Sequence, residues 1–137
     1  MLDQILVCAA VTACNITIHA FVMALVVNSA RAMGRKDIAH PSFRLASVMI
    51  VTVLVLMAAH LAEVMVWALA YWLVDAVPAG TGLIYFALVN YTTLGYGDVV
   101  PAREWQLLGP MAAMNGILLF GWSTAVIYEV MRKTLTM

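Results

Sequence analysis

Apolar positions along this chain gather into three long runs, at 4–27, 45–74 and 107–131. Each reaches the roughly 20 residues that an α-helix needs to cross the hydrocarbon of a bilayer. The second run exceeds that minimum, so it predicts a helix that tilts or extends past the hydrocarbon. A fourth apolar piece, 83–91, is too short to cross. It predicts a re-entrant half-helix that enters the membrane and turns back. The polar stretches differ in character. Between runs one and two the chain is basic, with Arg31, Arg35, Lys36 and Arg44. After the half-helix comes "YTTLGYGDVV", residues 91–100, where glycine, threonine and aspartate interrupt a greasy chain.

Composition supports the same picture. Of 137 residues, 65% are hydrophobic and 10% charged, against about 25% charged in soluble globular domains. The expected class is an all-α membrane protein, built as one small unit of three transmembrane helices and a re-entrant helix with its loop. Zero net charge gives no pull toward nucleic acid. Cys8 and Cys14 fall on different faces of the first run, which rules out a disulfide within that helix. They read as small apolar fillers, with no metal-site spacing around them.

Orientation follows from lysine and arginine. Arg132 and Lys133 follow the third run, and only Arg103 lies away from the two basic segments. With three spans, the first connection and the C-terminus share a face, which the positive-inside rule makes cytoplasmic. The N-terminus and residues 75–106 are then expected outside, with Tyr71, Trp72 and Trp105 near the outer interface. "SARA" at 29–32 faintly resembles a signal cleavage site. The leading residues carry no positive charge, however, and cleavage would put Arg35 and Lys36 outside, so the first run is read as a span. Pro41 suits the first turn of the second span.

The loop is the chemical question. Backbone at membrane depth is tolerated outside helix or barrel only where it is buried in protein or lines a watery cavity. In Thr93-Leu94-Gly95-Tyr96-Gly97, glycine at alternate positions permits φ values that other residues resist. Successive carbonyls can then point to one side and replace the hydration shell of a cation, with the Thr93 hydroxyl adding another oxygen. The half-helix ends at the loop, so the negative end of its dipole faces that path. One chain cannot surround an ion in this way. Four copies around an axis are the simplest closed ring, so the expected partners are other copies of the chain, as a homotetramer, and membrane lipid. No soluble substrate is expected.

"TTLGYGD" resembles the signature of the potassium-channel pore-loop superfamily. Through "TTLGYGDVVP", Trp105 and "NGILLFGWSTA", residues 45–131 look similar to small bacterial two-transmembrane channels. The resemblance implies potassium selectivity, a bacterial inner membrane, and a filter of Thr93, Leu94, Gly95, Tyr96 and Gly97 with K+ held at Thr93, Leu94, Gly95 and Tyr96. It implies Thr92 beside the filter, Asp98 at the outer mouth and an inner helix lining a cavity. It divides the chain into an extra helix and basic loop, 1–44, and a pore module, 45–137, with outer helix 45–74, pore helix 82–92, filter 93–97 and inner helix 106–132. Leu94 stands where valine or isoleucine is usual. Tyr85 and Phe86 stand where relatives place tryptophans that brace the filter, and Val89 where some place an acid. Phe86 has no group to offer the Tyr96 hydroxyl, whereas Tyr85 can reach Asp98, so the brace is thin.

Other polar residues have two readings each. His60 and Glu63 are ionisable groups one turn apart in the second run, costly there and able to pair. They either tie helices together or let His60 protonation gate the pore; the cost of an unpaired membrane charge favours the first. Asn15, His19 and Asn28 read as a stripe of interhelical glue docking the first span, onto His60 and Glu63 among others. Gly116, with Gly121 after it, is equally a hinge or a close packing point, and Asn115 is placed facing the cavity. Ser123 and Thr124 are read as bonding back to their own backbone. Glu129 pairs with Arg132 and Lys133 at the interface. No span carries an arginine repeat, which speaks against a voltage sensor, and the short tail after Lys133 predicts no cytoplasmic ligand domain in this chain. The functional expectation is passive potassium conduction. The alternatives are a weakly selective cation channel and a non-conducting membrane subunit that keeps the pore fold. His60 and Glu63 alone are too little for an enzyme.

Overall fold

The computed structural model describes residues 1–33 and 41–136. It is all-α, with α1 at Leu2–Met33, α2 at Pro41–Leu73, α3 at Leu83–Tyr91 and α4 at Leu108–Leu135; a short 3-10 turn at Arg103–Trp105 precedes α4. Three helices, within Leu2–Ser29, Ser42–Leu73 and Arg103–Leu135, are long and apolar enough to cross a membrane. The chain is therefore a multi-pass membrane protein with three candidate spans and a short fourth helix. The long helices overrun the apolar runs because helical hydrogen bonding continues into interfacial residues. Asp3 in the first turn of α1 also suits the positive end of its dipole. Arg35 and Lys36 lie outside the described residues.

The end of α2 is fixed by backbone chemistry that hydrophobicity does not reveal. Asp75 takes a left-handed φ of 49°. Its N–H donates to the Trp72 carbonyl at 3.3 Å, and the Ala76 N–H donates to the Tyr71 carbonyl at 3.0 Å. This is the paired return of a Schellman cap, closed by the usual apolar contact, here between buried Ala76 and Tyr71. Aspartate is one of the few residues besides glycine that tolerates the left-handed region.

α3 is wedged between α2 and α4, and α1 lies along α2 and α4 from outside. Towards the loop side, Val64, Trp67 and Tyr71 of α2, Phe86 and Tyr91 of α3 and Leu108 of α4 form one core, joined by Cys8 of α1. Towards the other end, Met23 and Val26 of α1, Val48 and Leu56 of α2 and Val126 and Val130 of α4 form a second. Large apolar side chains such as Phe21, Leu54 and Leu118 point outwards, as a lipid-facing surface requires. Two expectations need correction. Cys14 is exposed, so Cys8 alone fills the core. Asn15 and His19 are buried, but Asn28 is exposed. It lies nine residues past His19, two and a half turns at about 3.6 residues per turn, and so on the opposite face.

Candidate functional site

Three arrangements meet at the C-terminal end of α3: the return loop, the helix crossing beneath it and a buried polar cluster. The helix is apolar except for Asn90 and its tyrosine hydroxyls, with Phe86, Ala87, Val89 and Tyr91 buried against its neighbours. It stops at Tyr91, where Thr92 caps it by backbone and hydroxyl bonds of 2.9 and 2.8 Å to the Leu88 carbonyl. The next N–H groups fold back onto the helix end. Thr93 donates to Asn90 at 2.9 Å, and Leu94 and Gly95 donate to Val89 at 2.9 and 3.3 Å.

Their carbonyls behave differently. Among the described residues, no main-chain oxygen from Thr92 to Gly97 accepts a hydrogen bond. The backbone here alternates, with φ of 64° at Thr93, 53° at Gly95 and 76° at Gly97, while Leu94 and Tyr96 stay in ordinary territory. Alternation of positive and negative φ lets successive peptide groups point the same way instead of alternating. The N–H groups of Thr93, Leu94 and Gly95 are turned to α3, and the carbonyls of the loop are left without a donor in the described chain. Sequence reasoning assigned this freedom to the glycines alone. That Thr93, a β-branched residue, adopts it as well is a strained conformation with no sequence signal.

Residues Thr92 to Asp98 are all exposed on the single chain. Leu94 and Tyr96 show 54% and 67% of their surface. Tyr85 reaches the loop, its hydroxyl donating to Asp98 Oδ2 at 2.9 Å. That bond raises the Tyr85 phenol above its ordinary pKa, because Asp98 holds the hydroxyl proton in place. Phe86 turns away and meets Tyr71 edge-on, at a centroid distance of 4.9 Å. The far side of the loop is anchored where the Ala102 N–H donates to the Ala76 carbonyl at 2.9 Å.

α4 crosses beneath the end of α3 at Gly116. A Cβ there would collide with the Tyr91 main-chain oxygen. Of the two readings for Gly116, the structure supplies the packing contact. Gly121 has nothing near the place its Cβ would occupy. Asn115 corrects an expectation: it does not face an open cavity. It is 2% exposed on the single chain, and its Oδ1 accepts from Asn15 Nδ2 at 2.9 Å and Trp67 Nε1 at 3.1 Å. The donors on α1 and α2 draw it to the packed side of α4.

The pair His60 and Glu63 belongs to a larger cluster to which all four helices contribute. His60 Nδ1 lies 2.9 Å from Glu63 Oε2, and His19 Nδ1 lies 2.8 Å from Glu63 Oε1. The Tyr91 hydroxyl donates to Glu63 Oε2. Ser123 Oγ stands 3.0 Å from His60 Nε2 and 3.4 Å from His19 Nε2. Glu63 and His19 are fully buried. The expected pair and the docking of the first span are both present. Tyr91 and Ser123 were missed as members. Thr124 does bond back to its own helix, at 3.0 Å to the Phe120 carbonyl, but Ser123 turns to the histidines instead. Polarity in an apolar run was the only available signal, and it could not say which partner each group would find. Glu129 pairs with Arg132 and Lys133 at 2.7 and 2.8 Å.

A family model described as ion channel matches residues 50–133, from early α2 through α3 and the loop to near the end of α4, leaving α1 outside. No curated protein and no solved structure matches the chain. The matched segment takes in the half-helix, its glycine-spaced return and both flanking spans, and on that match the chain belongs to the ion channel family: it is a membrane protein of ion transport and not an enzyme.

Proposed function

We propose that the chain forms a homotetrameric, potassium-selective channel that conducts passively through the main-chain oxygens of Thr93, Leu94, Gly95, Tyr96 and Gly97. The observation that carries this is the loop's division of polar groups: the Thr93, Leu94 and Gly95 N–H groups are spent on α3, and the loop's carbonyls accept nothing within the described chain. Such oxygens suit a dehydrated cation, and a ring of them needs further copies of the loop around an axis. The exposed Leu94 and Tyr96 then pack against neighbouring chains. Residues 45–137 serve as the pore module and 1–44 as a peripheral addition. The N-terminus lies outside and the C-terminus inside, in a bacterial inner membrane, by the bias of Arg44, Arg132 and Lys133.

The test is ion flux. Purified protein in potassium-loaded vesicles takes up a potassium tracer, barium blocks it, and sodium and lithium compete poorly. Equal sodium uptake overturns the selectivity. No uptake by a correctly formed tetramer favours the non-conducting subunit. One observation favours a second reading, a weakly selective cation channel. Phe86 packs on Tyr71, and among the described residues no side chain bonds the Tyr96 hydroxyl, so Tyr85 to Asp98 is the one bond from an α3 side chain that steadies the loop. Measured sodium-to-potassium permeability separates the two.

A further inference from the structure

We propose that His19, His60 and Glu63 form a binding site for a divalent first-row transition metal ion, with zinc as the reference ion and the Tyr91 hydroxyl beside the fourth position. The site is separate from the loop oxygens, and its binding test does not depend on conduction. One nitrogen from each histidine and a carboxylate oxygen lie within 4.8 Å of one another. Shifts that close the widest of these separations and open the histidine–carboxylate contacts bring them onto one ion with bonds of about 2.0–2.2 Å. Two imidazoles and a carboxylate are the donor set of open zinc sites, which leave one position for a further ligand. The Tyr91 hydroxyl, 3.0 Å from His60 Nδ1, stands where that ligand is needed.

Hydrogen-bond counting points the same way. With Glu63 ionised and both histidines neutral, the cluster holds an uncompensated negative charge at membrane depth, which is costly. Ser123 has one hydroxyl proton and faces two Nε2 atoms, so it can donate to only one of them. A bound divalent metal resolves both problems provided the Tyr91 hydroxyl gives up its proton to solvent and ligates as the phenolate, because Glu63, Tyr91 and the ion then sum to zero charge. Each histidine then ligates through Nδ1 and donates its Nε2–H to Ser123, whose oxygen accepts both, the outer-shell arrangement typical of metal-bound histidine. A proton would also restore neutrality, but it needs only one imidazole. The second, brought from α1, is redundant for a proton and required for a metal. The His60 side chain, 11% exposed, borders an apolar cavity of about 220 Å³ lined by Met57, Leu61, Leu88 and Phe120 among others. An ion here would join α1 and α2 to Tyr91, the last residue before the loop turns.

The test uses the full chain in detergent, stripped by a chelator and dialysed against zinc, with metal content measured by mass spectrometry. The expected result is one zinc ion per chain, and a Co2+-substituted sample with the intense visible bands of a four- or five-coordinate nitrogen and oxygen site. His19→Gln should weaken zinc binding at least about tenfold, the lower end of what even outer-shell changes do. Should that variant misfold, His60→Gln and the wild-type cobalt spectrum decide. Sub-stoichiometric zinc in the wild type, unchanged zinc affinity in a folded His19→Gln chain, or a cobalt spectrum of the fully hydrated ion would each overturn the proposal and leave a proton as the missing positive charge.

Discussion

The return loop from Thr92 to Asp98 and the cluster around Glu63 both begin at the end of α3, yet they handle polar groups in opposite ways. In the loop, main-chain oxygens have no acceptor role inside the described chain, and every residue is exposed. In the cluster, Glu63 is fully buried and receives contacts from His19, His60 and Tyr91, on three helices. The loop's oxygens find no partner within a single chain; the cluster draws its contacts from four helices of one chain. The lesson is that similar polar letters in an apolar sequence serve two ends. Groups left over by the fold are offered to something else, and groups used up by it hold helices in place.

That contrast predicts which property each substitution will damage. The largest loss of stability is expected from Glu63→Ala, which strands two histidines and a tyrosine in a dry site. Breaking a buried ionic group typically costs about 3–5 kcal/mol, read as a lower midpoint of thermal unfolding in detergent. An unchanged midpoint would mean that the cluster holds nothing together. Next is Gly116→Ala, whose Cβ must displace the Tyr91 carbonyl. Overpacking of this kind costs roughly 1–3 kcal/mol, and because the shift is passed to the residue before Thr92, flux should fall together with stability. A variant that keeps both would show that α4 yields at this crossing and would restore the hinge reading.

Loop substitutions should behave in the reverse manner. Gly97→Ala places a Cβ at a φ of 76° with no neighbour within 4 Å. The penalty is conformational, about 1–2 kcal/mol, and the exposed loop can relieve it by leaving its alternating form. Potassium flux is therefore expected to collapse while the unfolding midpoint moves little; preserved flux would break the comparison. The smallest effect is expected from Tyr85→Phe. It removes one exposed bond to Asp98 and should leave the midpoint within error while raising sodium permeability relative to potassium. Identical permeability ratios would remove Tyr85 from any role at the loop.

Legibility followed the physics of each feature. The half-helix at Leu83–Tyr91 was visible because an apolar stretch too short to cross can only enter and return. The reach of Tyr85 to Asp98 was visible because the resemblance sets residue 85 where relatives brace the loop and its hydroxyl can donate to a carboxylate. The position of Asn115 was misread because the sequence shows that a residue is polar, not which neighbouring helix offers it a donor. Ser123 was missed for the same reason, since a serine in a membrane helix bonds its own backbone unless a partner lies opposite. The left-handed Thr93 and the Asp75 cap left no trace because backbone handedness at a non-glycine residue is imposed by the bonds on either side of it.

The sequence by itself determined that this chain resides in membrane, crosses it with three helices and carries an irregular return loop between the last two. Run length, residue type and local spacing govern those features, and all of them act within a few turns of chain. Only the tertiary structure decided that His19, His60, Glu63, Tyr91 and Ser123 meet, that Asn115 turns to α1 and α2, and that Gly116 carries the end of α3. Apart from the local His60–Glu63 pair, these are pairings across 25 to 104 residues of chain, and they are settled by how four apolar helices pack against one another.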